Sequence, residues 1–157
     1  MNADDLDEAD YFRSTDYDGT LVYGRRCGDG LYFIDFDSTK NPHSLSIPID
    51  EWERPVEHIS FQAAVALLVE QCTQNNQAVE EINTSNTIDG EKLEPGQFFI
   101  DLSDDAVGRR FEKPEDIVIF LTKSRYAWMD NSCSLHEEQV VPLTFHQAVL
   151  WLVQSLT

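Results

Sequence analysis

Shifted by 84 positions, the chain resembles itself. Gly24-Arg25-Arg26 falls on Gly108-Arg109-Arg110, Phe36 on Phe120, Glu53 on Glu137 and Val56 on Val140. Phe61, Ala64, Val65, Leu68 and Val69 then fall on Phe145, Ala148, Val149, Leu152 and Val153, with no gap required between Gly24 and Val69. A repeat constrains topology more than local propensity does, because both copies must bury the same face in the same way. The expectation is an internally duplicated chain.

Each copy shows the same order of patterns. Leu31 to Phe36 and Ile117 to Leu121 are short apolar runs rich in aromatic and β-branched residues, which read as strands. Leu45, Ile47 and Ile49 alternate with Ser46 and Pro48, predicting a half-buried strand that Pro48 confines to an edge or a bulge. Arg125 to Met129 is its counterpart, and Thr20 to Tyr23 and Gln97 to Leu102 are further strands. Each copy closes with a helix. Phe61, Ala64, Val65, Leu68, Val69 and Cys72 keep the spacing of one helical face, as do Phe145, Ala148, Val149, Leu152, Val153 and Leu156. Ser60 and Thr144 precede the two patterns as N-caps. The first helix has enough apolar residues to run on to Ile82.

The fold class that follows is α+β: β-rich units, each ending in an amphipathic helix packed on one face of antiparallel sheet. The divisions are an acidic flexible tail over 1–10, a first unit over 11–82, a linker over 83–96 and a second unit over 97–157. All four are expected to form one compact domain.

Charge is where the composition departs from the ordinary. Asp and Glu number 29 against 11 Lys and Arg, a net charge of −18 in 157 residues. Nucleic-acid backbones and anionic membranes are bound by Lys and Arg neutralising phosphates, so neither is an expected partner. No apolar stretch approaches the ~20 residues of a membrane helix. The start, Met1-Asn2-Ala3-Asp4-Asp5, is acidic where a secretory leader is basic and then apolar. Cys27, Cys72 and Cys133 form no framework, which suits buried thiols in a reducing, cytoplasmic setting.

Motifs for catalysis are few. Asp16-Tyr17-Asp18-Gly19-Thr20 is similar to the DxDGT signature of haloacid-dehalogenase-type phosphatases, which implies an aspartyl nucleophile and magnesium. The preceding Tyr11-Phe12-Arg13-Ser14-Thr15 is too polar for that family's buried strand, and the motif reads as an acidic turn. Counting a calcium loop from Asp35 puts Lys40 where Gly is needed and Ser46 where Glu is needed. His43, His58, His136 and His146 are dispersed. A cleft joining a His to Asp16 and Asp18 would argue for an enzyme. Gly28-Asp29-Gly30 precedes a strand and reads as a hairpin turn. The two Arg pairs are expected to knit each unit together through neighbouring carboxylates, with anion recognition as the alternative. No catalytic residue, metal or cofactor is therefore assigned.

A surface this acidic suits a basic protein partner, whose approach it accelerates and whose register it fixes. The run Gly28 to Asp37 and the ending Val141-Pro142-Leu143-Thr144-Phe145-His146-Gln147-Ala148-Val149-Leu150 resemble the immunity proteins that bacteria encode beside polymorphic or contact-dependent toxins. That resemblance implies a non-catalytic, cytoplasmic, one-to-one inhibitor and carries over no functional residue. A DNA mimic that blocks a restriction, CRISPR or other DNA-binding protein is the alternative, and salt adaptation is a third. Candidate contacts, chosen at loops and strand ends, are Asp16, Asp18, Asp35, Asp37, Asp50, Glu51, Asp101, Asp104 and Asp105. Trp52 and Trp128 are candidate anchors, with core packing as their plainer role. The oligomeric state is left open.

Overall fold

In the computed structural model, the described residues are 1–34, 46–75, 81–102, 106–110, 117–123, 129–131 and 139–156. They form two antiparallel sheets and two α-helices. The first sheet holds β1 (Tyr11–Thr15), β2 (Leu21–Cys27), β3 (Gly30–Phe33), β4 (Ser46–Pro48) and β5 (Val56–Ile59), in the order β4-β3-β2-β1-β5. Helix α1 (Phe61–Asn75) follows it. The second sheet holds β6 (Ile88–Asp89), β7 (Phe98–Asp101), β8 (Ala106–Arg110), β9 (Ile117–Leu121), β10 (Met129–Asn131) and β11 (Gln139–Leu143), in the order β10-β9-β8-β7-β11-β6. Helix α2 (Phe145–Gln154) closes the chain. The α+β class stands, with the helices serving two sheets instead of the single one expected.

Five strands of the second sheet repeat the order of the first, but not with one offset throughout. Gly24 pairs with Phe12 and with Phe33, and Gly108 pairs with Phe99 and with Phe120. Phe33, and not Phe36, therefore stands where Phe120 stands. The 84-residue offset holds for β2 with β8, for β5 with β11 and for the helices. The strands flanking β2 and β8 are displaced by three residues more, absorbed in the turns.

The Gly-Arg-Arg triplets explain themselves once the sheets are drawn. A Cβ on Gly108 would lie 2.3 Å from the Phe99 ring, and one on Gly24 would lie 2.0 Å from the Tyr32 carbonyl oxygen. Glycine is therefore dictated by close approach across the sheet. The next residue, Arg25 or Arg109, is 1% exposed. Arg25 Nε donates to the Ala9 carbonyl at 2.8 Å and its guanidinium lies 4.6 Å over the Tyr11 ring. Arg109 Nε donates to the Gly96 carbonyl at 2.9 Å and lies 4.6 Å over Phe98. The third residue reaches a 3₁₀ turn. Arg26 donates to the Leu6 and Asp4 carbonyls, and Arg110 to the Leu93 and Glu91 carbonyls. The Arg pairs thus knit each half internally, with backbone carbonyls among their partners.

Two expected divisions are corrected by the same contacts. Residues 1–10 do not hang free: Ala3 and Leu6 are 2% exposed, and the Val56 amide donates to the Met1 carbonyl at 2.9 Å. The 83–96 linker likewise folds as β6, a 3₁₀ turn over Gly90–Lys92 and a buried Leu93. Both segments carry an apolar residue (Leu6, Leu93) that an Arg at the end of the neighbouring strand draws onto the sheet.

The main core lies between the helices and the sheet faces bearing Tyr11 and Phe98, and draws on both halves. Tyr11 and Phe61 rings sit 5.7 Å apart, matched by Phe98 and Phe145 at 5.7 Å. The helices pack on each other, as their wide apolar stripes require. Tyr11 joins the halves directly: its hydroxyl donates to the Thr122 carbonyl at 2.9 Å and accepts from the Thr122 amide at 3.0 Å. Burial pushes its phenol up to about 12, against the opposing pull of Arg25 and the Thr122 hydrogen bond. A smaller cluster of Leu93, Phe99, Ala106 and Val140 fills the opposite face of the second sheet.

Local expectations fare unevenly. Ser60 Oγ accepts from the Ala63 amide at 3.0 Å, and Thr144 forms a reciprocal capping pair with Gln147. β4 is an edge strand, as Pro48 demands, although Ile49 belongs to a 3₁₀ turn. α1 is described to Asn75, and Glu81 to Asn83 are not helical. Of the strand expected over Arg125 to Met129, only Met129 lies within the described residues, in β10. Cys27 is buried, with its thiol pushed well up by desolvation; Cys72 is half-buried, and both are free. Cys133 lies outside the described residues. No helix is long and apolar enough to cross a membrane, among the described residues.

Two stability outcomes follow. Arg25→Met strands the Ala9 carbonyl in the interior and removes a stacked cation, so urea denaturation should show a loss of about 2 to 3 kcal/mol. Gly96 has φ +82°, while its counterpart Ala9 adopts φ +69° without being glycine. Gly96→Ala should therefore cost about 1 kcal/mol by thermal unfolding, the ordinary penalty of a Cβ in left-handed backbone.

Candidate acidic interface

The chain between β4 and β5 crosses one face of the first sheet, and Trp52 anchors it there. Trp52 is 9% exposed, its ring lies 5.6 Å from Phe33, and its Nε1 donates to Ser14 Oγ at 3.2 Å. Ser14 Oγ in turn donates to the Pro55 carbonyl at 2.6 Å. Of its two proposed roles Trp52 takes the core one, and Trp128 lies outside the described residues.

Fixing Trp52 fixes what surrounds it. The 3₁₀ turn Ile49–Glu51 buries Ile49 and exposes Asp50 and Glu51. It contacts the 3₁₀ turn Ala3–Asp5, which buries Ala3 and exposes Asp4 and Asp5. On the other side stands the β1–β2 turn. Its Asp16 amide donates to the Thr20 carbonyl at 2.8 Å and its Gly19 amide to the Asp16 carbonyl at 2.9 Å. The two carboxylates complete the turn: Asp16 Oδ1 accepts from Tyr17 N at 2.7 Å and Asp18 Oδ1 from Thr20 N at 2.9 Å. The DxDGT-like sequence is therefore an acidic turn that uses its own carboxylates for backbone capping.

Tyr17 stands out at its tip. It is 64% exposed, packs one side of its ring near Trp52 at 6.3 Å, and has the Arg54 guanidinium at 5.7 Å. Arg54 Nε donates to the Thr15 carbonyl at 3.2 Å, tying the turn to the crossing segment. Leu21, 44% exposed, opens the next strand. The result is a half-anchored aromatic at a turn that carries Asp16 and Asp18.

Of the nine candidate carboxylates, Asp16 and Asp18 share the β1–β2 turn, while Asp50 and Glu51 share the 3₁₀ turn Ile49–Glu51, whose Ile49 amide donates to the Asp29 carbonyl at 2.7 Å in the β2–β3 turn at the other end of β2. Asp101 is corrected: it is 2% exposed in β7, opposite Ala106 and Val140, on the face that Leu93 and Ile88 cover. A strand end is a surface position only when nothing folds over it, and here the β6 segment does. Asp35, Asp37, Asp104 and Asp105 lie outside the described residues. The candidate list omitted Asp4, Asp5, Tyr17 and Leu21. Leu6, an apolar residue within the acidic run, was the signal that residues 1–10 are docked.

Among the described residues no group of three His, Cys, Asp or Glu side chains is placed to hold a metal ion. His58 pairs across the sheet with Phe12 and lies 3.5 Å from Asp10, at the far end of β1 from Asp16 and Asp18. Comparison with family models, with curated proteins and with solved structures finds no match.

The exposures of the two aromatic residues set a contrast. Tyr17→Ala should change the unfolding free energy by no more than about 0.5 kcal/mol, as surface substitutions do. Trp52→Ala should cost about 3 to 5 kcal/mol through the cavity it leaves. Equal losses in a denaturant titration would show that Tyr17 is a structural residue.

Proposed function

We propose that this chain is a non-catalytic inhibitory binding protein that docks a basic protein through its acidic face, in the manner of an immunity protein neutralising a nuclease-type toxin. The observation that carries this reading is the exposed, pre-oriented Tyr17 in a turn that also bears Asp16 and Asp18, with Asp50 and Glu51 exposed in the segment that carries Trp52. Carboxylates speed and orient the approach of a cationic cleft, and an aromatic residue at the centre supplies the buried contact on which affinity depends. Tyr17 has few rotamers to lose, because Trp52 and Arg54 already hold its ring.

This arrangement suits a protein cleft better than it suits mimicry of a nucleic acid. A DNA mimic needs carboxylates in rows at the spacing of duplex phosphates, with little apolar surface between them. Here Tyr17 and Leu21 interrupt the acids.

The test is capture of partners from the native host on the immobilised full chain, beside a D16N/D18N/D50N/E51Q variant and Y17A. Asn keeps the side-chain acceptor that the turn amides need, so the fold should persist, as circular dichroism can verify. A basic protein should be retained by the parent chain, lost from both variants, and released as salt shortens the screening length from about 8 Å toward 3 Å. Retention of the same proteins by all three chains would overturn the reading.

A further inference from the structure

A cavity of about 120 Å³ opens at the seam between the two halves. Asp10, Tyr11, Arg25, His58 and Ser60 line it from the first half, and Lys123 lines it from the second. In a chain with 11 Lys and Arg against 29 Asp and Glu, two full cations and a histidine around one small cavity is a marked local reversal of sign.

The lining is positioned and not incidental. Arg25 is held by the Ala9 carbonyl and by the Tyr11 ring. Lys123 follows Thr122, whose amide and carbonyl are both clamped by the Tyr11 hydroxyl, so the loop that brings the ammonium is pinned across the seam. The one carboxylate in the lining is already occupied. Asp10 Oδ2 accepts from the Asp7 amide at 2.8 Å, and Oδ1 lies 3.5 Å from His58 Nε2. Lys123 makes no ion pair with any described residue, although carboxylates abound. Ser60 Oγ accepts from the Ala63 amide, which leaves its own O–H able to donate.

We infer that this cavity binds a small free oxyanion, a phosphate or a carboxylate, between Lys123 and the Arg25 wall, with His58 and Ser60 at the rim. Its volume is well above the ~10–15 Å³ that one water needs on the same measure, so one such group fits. The site is separate from the acidic face and does not depend on that reading.

The experiment is a titration of the isotopically labelled full chain with sodium phosphate and, separately, with sodium acetate, at constant ionic strength set with chloride. Amide shifts of residues 58–61 and 122–123 should saturate in the millimolar range with at least one anion. Saturation by phosphate alone assigns a phosphate, and by acetate alone a carboxylate; by both, it assigns a general oxyanion site. Lys123→Met should weaken binding about threefold to fivefold, the worth of a partly exposed ion pair, with thermal unfolding unchanged. Lys92→Met, on an exposed turn that does not line the cavity, should leave it unaltered. Shifts that stay linear with both anions, or that respond equally to the two substitutions, would overturn the inference.

Discussion

A guanidinium withdrawn from water loses several kcal/mol of hydration, and it stays charged whatever the surroundings. This chain accepts that cost twice, at Arg25 and Arg109, each 1% exposed. Two contributions to offsetting it recur in both halves: an aromatic face beneath the charge and a carbonyl at hydrogen-bond distance. The carbonyl belongs to a residue with positive φ, Ala9 or Gly96, so the backbone bends sharply there to turn its oxygen toward the cation. Once that bend is set, the segment before it has one direction to go, back across the sheet. Arg26 and Arg110 then hold its 3₁₀ carbonyls. The segments that look like tail and linker in the sequence are therefore the covers of the two sheets, and the buried charges are what seat them.

The acidic face is a consequence of that seating. Asp4 and Asp5 stand beside Asp50 and Glu51 because Leu6 and Ala3 are buried and Arg26 grips the backbone on both sides of Asp5. Like charges brought together repel, and the backbone hydrogen bonds and apolar contacts of the two 3₁₀ turns hold them in place. A binding surface prepared in this way loses little further order when a partner arrives, which is how preorganisation turns folding stability into affinity.

What the sequence disclosed depended on whether a pattern repeats within one element. The helix starts, with their 3.6-residue stripes and Ser and Thr caps, were legible to the residue, and so was the edge position of Pro48, whereas the expected run of the first helix to Ile82 fails because Glu81 to Asn83 are not helical. β1 was not: Tyr11-Phe12-Arg13-Ser14-Thr15 reads as polar because Ser14 is buried through the Trp52 indole and the Pro55 carbonyl, which only tertiary contact supplies. Asp101 was misplaced on the surface for the same reason, since nothing local announces that β6 will fold over it. The Arg pairs stand out in the sequence, but their carbonyl partners do not. Carbonyls carry no sequence signature, whereas carboxylates do. At the acidic corner the charges were visible in the sequence, but the exposed Tyr17 that gives them a centre was not.

The seam cavity and the Tyr17 turn occupy opposite ends of β1, with Asp10 and Tyr11 at one end and Asp16 at the other. Five residues of extended strand span roughly 17 Å. That is about twice the screening length at physiological salt, so charge entering the cavity is nearly invisible at the Tyr17 corner through solvent. The strand between them is rigid and hydrogen-bonded on both sides, by β2 and β5, and offers no second arrangement to transmit a change. Two sites of opposite polarity can therefore coexist in so small a molecule without competing. In the proposed acidic face, Arg54 is itself committed to the Thr15 carbonyl and the Tyr17 ring.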